Sequence, residues 1–196
     1  MHLVLASTSK YRRLLVEKLR IPFEAVAPGV DEDRLKSGCP DLKGRELAVF
    51  LAEAKIRSLE SAYPDACIVG GDQLVAFEGR VLGKPRDEAD AFAQIRAYSG
   101  KRFELVTAMG ALCGGRYESR LHLSRYKARE LSDAQIRRYL EVDRPYDCAG
   151  SFRFEDHGIL LFESVETSDP LANMGLSLIS LVSLLEGFGF EIPGPL

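Results

Sequence analysis

After Met1 the sequence reads His2-Leu3-Val4-Leu5-Ala6-Ser7-Thr8-Ser9-Lys10-Tyr11-Arg12-Arg13, and this stretch sets the fold class. Residues 2–6 form a short apolar run of the kind a buried strand makes. The Ser-Thr-Ser that follows supplies the hydroxyls a helix start uses. Tyr11, Leu14, Leu15 and Leu19 then fall at i, i+3, i+4 and i+8, an apolar stripe that predicts a helix to about Leu19. A strand feeding straight into a helix is how an α/β protein begins.

Working outward, the pattern predicts a strand over 23–27, a polar loop over 28–41, and a helix marked by Leu47, Phe50, Leu51 and Ala54. A strand over 66–70 is expected to end in a sharp turn at Gly70-Gly71. Residues 74–77 and 80–82 flank Glu78-Gly79 as a tight hairpin. Asp87 caps a helix to Tyr98, and residues 103–113 and 116–127 form a long hairpin around Gly114-Gly115. Ser132-Asp-Ala-Gln135 is a capping-box pattern that opens a helix to about Val142. A strand over 158–165 and a last helix over 171–186 complete the order. Strand–helix pairs mixed with hairpins mean an α/β fold with a mixed, twisted sheet flanked by helices. No repeat, low-complexity tract or linker interrupts residues 1–196, so one domain is expected, or two lobes around a central cleft.

The 196 residues carry 26 basic and 29 acidic side chains, a net charge of −3, with 46% hydrophobic and 28% charged residues. These are values of a globular protein, not of a disordered one. No apolar run reaches the ~18 residues of a membrane span, and the start lacks the basic and long apolar regions of a secretory signal. A cytoplasmic protein is the expectation. Cys39, Cys67, Cys113 and Cys148 show no C-x-x-C spacing, so reduced thiols are expected and a zinc knuckle is not. A pI near 5.7 argues against general nucleic-acid binding. From Ser151 onward there are seven acids and one base, so the first 150 residues carry +3, a balance suited either to a small anionic ligand or to plain solvation.

Three stretches carry chemistry. Ser7 to Arg13 places hydroxyls, free backbone N–H groups and cations at a helix start, which suits a phosphate, although Ser9 also suits a simple N-cap. Gly70-Gly71-Asp72-Gln73 puts an acid just past a buried strand, where α/β folds place functional groups. An ordinary aspartate, with a pKa of about 3.9, is a poor base for water. It becomes useful by holding a divalent metal or by orienting the attacking water; a turn residue is the plain alternative. Lys55 and the Gly83-Lys84-Pro85 lysine could neutralise phosphate oxygens, although single lysines of this kind are most often merely exposed to solvent. Asp31-Glu32 is either a second acidic arm around a metal or polar loop surface.

Ala6-Ser7-x-Ser9-x-x-Arg12-Arg13, Val30-Asp31-Glu32, Leu51-Ala52-x-x-Lys55, Gly71-Asp72-Gln73, Gly83-Lys84-Pro85, Ala149-Gly150-Ser151-Phe152 and Gly175-Leu176 occur in one order. That series resembles the Maf family of nucleotide pyrophosphatases over about residues 3–185. The resemblance implies a Maf-like pyrophosphatase fold and metal-dependent hydrolysis of a nucleoside triphosphate to the monophosphate and pyrophosphate. By similarity, Asp72 is the proton acceptor and, with Glu32, a holder of a Mg2+- or Mn2+-type cation. Ser9, Arg12, Lys55 and Lys84 match phosphate-contacting positions, with Ser7 as the alternative to Ser9. The implied partner is a small nucleotide, with neither nucleic acid nor membrane, and the hairpin over 103–127 offers a surface for a homodimer.

Tyr11, Gln73 and Glu155 match the family's specificity positions. The branch acting on dTTP and UTP has Arg, Thr and Gln there; the branch acting on 7-methyl-GTP has Trp, Gln and Glu. The chemistry agrees with the second. An aromatic face attracts the cationic N7-methylated ring, and one carboxylate accepts guanine's N1–H and amino group side by side. The competing expectations are a dTTP/UTP pyrophosphatase and a non-catalytic regulator of septum formation. Lys10 stands where proline is usual, and Ser177 where the family has the proline of Gly-Leu-Pro.

Overall fold

A computed structural model describes residues 1–195. The strands are β1 (His2–Ala6), β2 (Phe23–Val26), β3 (Ala66–Phe77), β4 (Arg80–Leu82), β5 (Arg102–Cys113), β6 (Arg116–Ala128) and β7 (Phe162–Glu166). The helices are α1 (Lys10–Glu17), α2 (Glu32–Gly38), α3 (Gly44–Arg57), α4 (Glu88–Tyr98), α5 (Asp133–Asp143) and α6 (Leu178–Gly187). The sheet order is β2-β1-β3-β5-β6-β7, with β4 paired to β3. β1 runs parallel to β2 and β3, whereas β3–β4 and β6–β7 are antiparallel. The expected mixed α/β sheet is therefore the observed one.

The chain divides into two compact units. The first comprises 1–73, 107–122 and 169–196; the second comprises 74–106 and 123–168. In the first unit β1 is covered on both faces, which is why it reads as an unbroken apolar run. Leu3 and Leu5 pack with Leu15, Val16 and Leu19 of the α1 segment and with Leu181, Leu184 and Leu185 of α6. Val4 and Ala6, pointing the opposite way, pack with Ile56 of α3 and with Ile68. The stripe predicted for α1 shifts by one position, for Val16 is buried and Leu14 is half exposed.

The second unit is built on aromatics. Phe103 and Tyr126 stack at 5.0 Å, and Phe162 meets Tyr126 edge-on at 4.7 Å. Around them lie Ile95 and Tyr98 from α4 and Ile136 and Leu140 from α5. The Ser132–Gln135 capping box is formed, and Asp87 caps α4. At the Glu78-Gly79 turn both residues have positive φ, 47° and 73°, as a two-residue hairpin requires.

Five expectations are corrected. The 28–41 loop contains α2, whose single apolar residue in the first turns, Leu35, gives no periodicity to read. β3 does not turn at Gly70-Gly71 but runs through both. A Cβ at Gly71 would lie 2.5 Å from the Ala108 carbonyl and 2.8 Å from Leu176, so glycine serves close packing here, not a bend. Over 158–165, residues His157–Leu161 form a 3-10 turn, and only then does β7 begin. The last helix is split into a 3-10 turn, Pro170–Met174, and α6, because Gly175 takes φ 108° between them. Finally, Cys67 and Cys113 are joined as a disulfide between neighbouring strands, with Cα atoms 4.3 Å apart, in place of four reduced thiols. Their separation of 46 residues hides this in the sequence. No helix among the described residues is long and apolar enough to cross a membrane.

Candidate active site

Pairing between β1 and β3 ends at Leu5↔Val69. From there the chain leaves β1 through Ser7–Ser9 into α1, while β3 runs on and carries Asp72 beyond the end of β1. Ser9 is the N-cap: its Oγ accepts from the Arg12 backbone N–H. Ser7 is buried, and its Oγ accepts from the Ser9 N–H. The Ser9 hydroxyl is thus the half-exposed one of the pair. Lys10 occupies the first helical position, where proline is favoured, and its Nζ sits 4.7 Å from the centre of the Tyr11 ring.

Asp72 is buried, and so is Lys55, which α3 supplies from its last turn. Lys55 Nζ lies 2.6 Å from Asp72 Oδ1 and 2.7 Å from Glu32 Oε1. Two carboxylates from separate elements therefore converge on one ammonium. Asp31 has a different task, accepting from the Arg34 N–H as the N-cap of α2 and so starting the helix that presents Glu32. Arg12 joins the group from α1. Burial lowers its pKa from the ordinary value, opposed by the nearby Asp72 and Glu32 charges. Its Nε donates to the Gly175 carbonyl at 3.0 Å. Gly175 takes a φ of 108°, which favours glycine, and a Cβ there would lie 3.0 Å from Arg12 Nε, so the arginine would have to shift.

Gln73 follows Asp72 on β3. Its Nε2 donates to Thr107 Oγ1 and to the Ala172 carbonyl, both at 2.8 Å. Asp169 holds the segment that carries Ala172 and Gly175. Its carboxylate accepts from the Leu171 N–H, the Ile179 N–H and the Ser177 hydroxyl. Ser177 is the N-cap of α6.

The structure thus brings Ser9, Arg12, Glu32, Lys55, Asp72 and Gln73 into the first unit, with Tyr11 half-buried on α1. Lys84 and Glu155 are exposed residues of the second unit. Within that unit the Gly150 N–H donates to the Gly83 carbonyl, and the Tyr98 hydroxyl donates to the Gly150 carbonyl. The Ala149–Ser151 turn therefore buttresses the loop that carries Lys84. Gly150 has φ 71°, and a Cβ on it would lie 2.6 Å from Val75 Cγ2.

A family model described as Maf-like protein matches residues 2–188. The chain belongs to the Maf family. A relative from Bdellovibrio bacteriovorus, named 7-methyl-GTP pyrophosphatase, is 42% identical over 94% of this chain and 95% of its own. Relatives of the same name are 42% identical in Nitrosospira multiformis, over 97% of this chain and 95% of theirs, and 40% identical in Albidiferax ferrireducens, over 98% and 96%.

In this Maf protein the cationic point between the two carboxylates is the Lys55 ammonium, and the donors around it are the carboxylate oxygens that a hard divalent ion would also take. Asp72 and Glu32 already direct oxygens at one cationic point, and Mg2+ is commonly held by one or two carboxylates plus substrate phosphates. Among the described residues no group of three or more His, Cys, Asp or Glu stands where it could hold a metal ion.

Sequence reasoning missed Thr107, Asp169 and the Gly175 and Ala172 carbonyls. Thr107 had a signal: it is a lone hydroxyl between apolar neighbours in residues 105–109, and it is buried. The carbonyls had none, because a backbone acceptor is set by fold and not by side-chain type.

Proposed function

We propose that this Maf protein hydrolyses 7-methyl-GTP to 7-methyl-GMP and pyrophosphate, with Asp72 as proton acceptor. The observation that carries the reading is the buried Asp72 carboxylate, held by Lys55 beside Arg12 and Glu32. The names of relatives about 40% identical supply the substrate.

In this reading water attacks the α-phosphorus, the bond from that phosphorus to the α–β bridging oxygen breaks, and pyrophosphate leaves. The water proton passes to an Asp72 oxygen. Asp72 is fixed for this by its 2.6 Å contact with Lys55. Arg12, anchored through Nε to Gly175, and the Ser9 hydroxyl bind phosphate oxygens, and Lys84 adds a further cation. Charge that grows on those oxygens in the transition state makes such contacts count for rate, beyond their value for binding. A Mg2+- or Mn2+-type ion held by Asp72 and Glu32 would neutralise phosphate charge and render the phosphorus more electrophilic. Tyr11 stacks on the cationic methylated base, Glu155 accepts from the guanine edge, and Gln73 completes the base contacts. Such chemistry belongs with the nucleotide pool of the cytoplasm, and the β5–β6 hairpin is the surface we assign to a homodimer.

The test is pyrophosphate release from 7-methyl-GTP, GTP, dTTP, UTP and CTP, with Mg2+, Mn2+ or chelator. Preference for 7-methyl-GTP in the presence of metal is expected. Preference for dTTP or UTP would overturn the base assignment while leaving the hydrolytic centre in place.

A further inference from the structure

Gln73 is the one base-contacting residue of the proposed reading whose polarity the structure fixes. A carboxamide has two donors on nitrogen and an acceptor oxygen, and either end can face a ligand. Here Nε2 lies 2.8 Å from Thr107 Oγ1 and 2.8 Å from the Ala172 carbonyl oxygen. Ala172 O is only an acceptor, so turning the amide over would set two acceptor oxygens against each other. Thr107 is locked as well: its hydroxyl hydrogen points at the same Ala172 oxygen, at 3.4 Å, leaving its lone pairs for Gln73. Thr107 is 1% exposed, so no water competes for that lone pair. Both amide hydrogens of Gln73 are spent on the protein, and Oε1 accepts no hydrogen bond among the described residues.

We propose that Thr107 is a positioning residue that, together with the Ala172 carbonyl, holds Gln73 as a pure acceptor, so that the site selects a base edge presenting an N–H donor and disfavours one presenting a carbonyl. The inference rests on the proposed role of Gln73 in contacting the base. Guanine's amino group has a hydrogen to give to Gln73 Oε1. Uracil and thymine would set a carbonyl oxygen against an oxygen that cannot turn away. Specificity of this kind comes from the unfavourable pairing as much as from the favourable one. Removing the Thr107 hydroxyl leaves Nε2 with the Ala172 carbonyl as its single anchor, so the carboxamide can swing and turn the freed N–H toward a carbonyl-bearing ligand.

Two readouts test this. The first needs no substrate: the side-chain NH2 resonances of Gln73, followed by hydrogen exchange in the ligand-free protein. Slow exchange at both hydrogens is expected in wild type and in Thr107→Ser, with one hydrogen becoming fast in Thr107→Val. Fast exchange of the pair in wild type, or an unchanged pair in Thr107→Val, would overturn the lock, whichever nucleotide the enzyme prefers. The second is the ratio of kcat/KM for 7-methyl-GTP over UTP. It should fall about tenfold in Thr107→Val, the effect of one hydrogen bond, and be restored in Thr107→Ser. An unchanged ratio alongside the altered NH2 signal would overturn the selective role. A wild-type enzyme preferring UTP would fail the base assignment, while the exchange experiment still judges the lock.

Discussion

Replacing Lys55 with Met should destabilise the protein by about 3 kcal/mol, and the figure follows from the exposures of the three partners. Lys55 and Asp72 side chains are each 8% exposed, and Glu32 is 43% exposed. Removing one partner of a buried pair costs about 3–5 kcal/mol, because the other charge stays behind without compensation. Glu32 can turn toward water, so its share is that of a surface pair, about 0.2–1 kcal/mol. Asp72 cannot, being fixed in β3 between Gly71 and Gln73. The lower end of the buried range therefore applies. For a chain of this length each kcal/mol moves Tm by about 2–4 °C, which predicts a fall of about 6–12 °C by circular dichroism. Two carboxylates left facing an empty cationic point should then gain affinity for Mg2+. At about 100 times its Kd the ion would return about 2.7 kcal/mol. Adding Asp72→Asn to Lys55→Met should recover much of the loss as well, since the stranded charge is gone. A Lys55→Met protein within about 1 kcal/mol of wild type, indifferent to Mg2+, would refute the reasoning.

Other outcomes are equally specific. Gly150→Ala forces a Cβ to 2.6 Å from Val75 at a positive φ and should cost about 1–3 kcal/mol in urea denaturation, with weaker nucleotide binding through the Lys84 loop. Burial lowers the pKa of His122 below its ordinary 6.5, against a smaller raising effect of Asp169. The unfolded chain therefore takes up its proton first, so the His122 contribution is complete above about pH 6.5 and is lost as pH falls toward the folded pKa. His122→Asn should flatten that part of the stability–pH curve, as followed by chemical denaturation at several pH values.

Much of the fold was legible because burial wrote itself into the pattern. β1, the α5 capping box and both glycine hairpins carry local signals, and each forms where the residues predicted it. The errors share a cause, which is that one residue type serves different ends in different surroundings. Gly70-Gly71 has the composition of a turn, yet Ala108 and Leu176 press on a continuous strand there. Gly175 lies inside an apolar helical pattern, yet it breaks the helix so that its carbonyl can hold Arg12. α2 was invisible because a surface helix that buries nothing has no stripe to show. In the site, the cations and carboxylates were legible as residue types in order. That Lys55 bridges Asp72 and Glu32, and that Asp31 is a cap while its neighbour Glu32 reaches inward, depends on α2 and α3 meeting β3 in space.

The most direct test of the central claim compares wild type and Asp72→Asn for pyrophosphate release from 7-methyl-GTP with Mg2+, alongside nucleotide affinity and circular dichroism for both. The account predicts a folded Asp72→Asn protein that still binds the nucleotide and releases pyrophosphate at least 100-fold more slowly, the lower bound of a general-base contribution of roughly 10²–10⁴. A folded Asp72→Asn protein that turns over at close to the wild-type rate would contradict it.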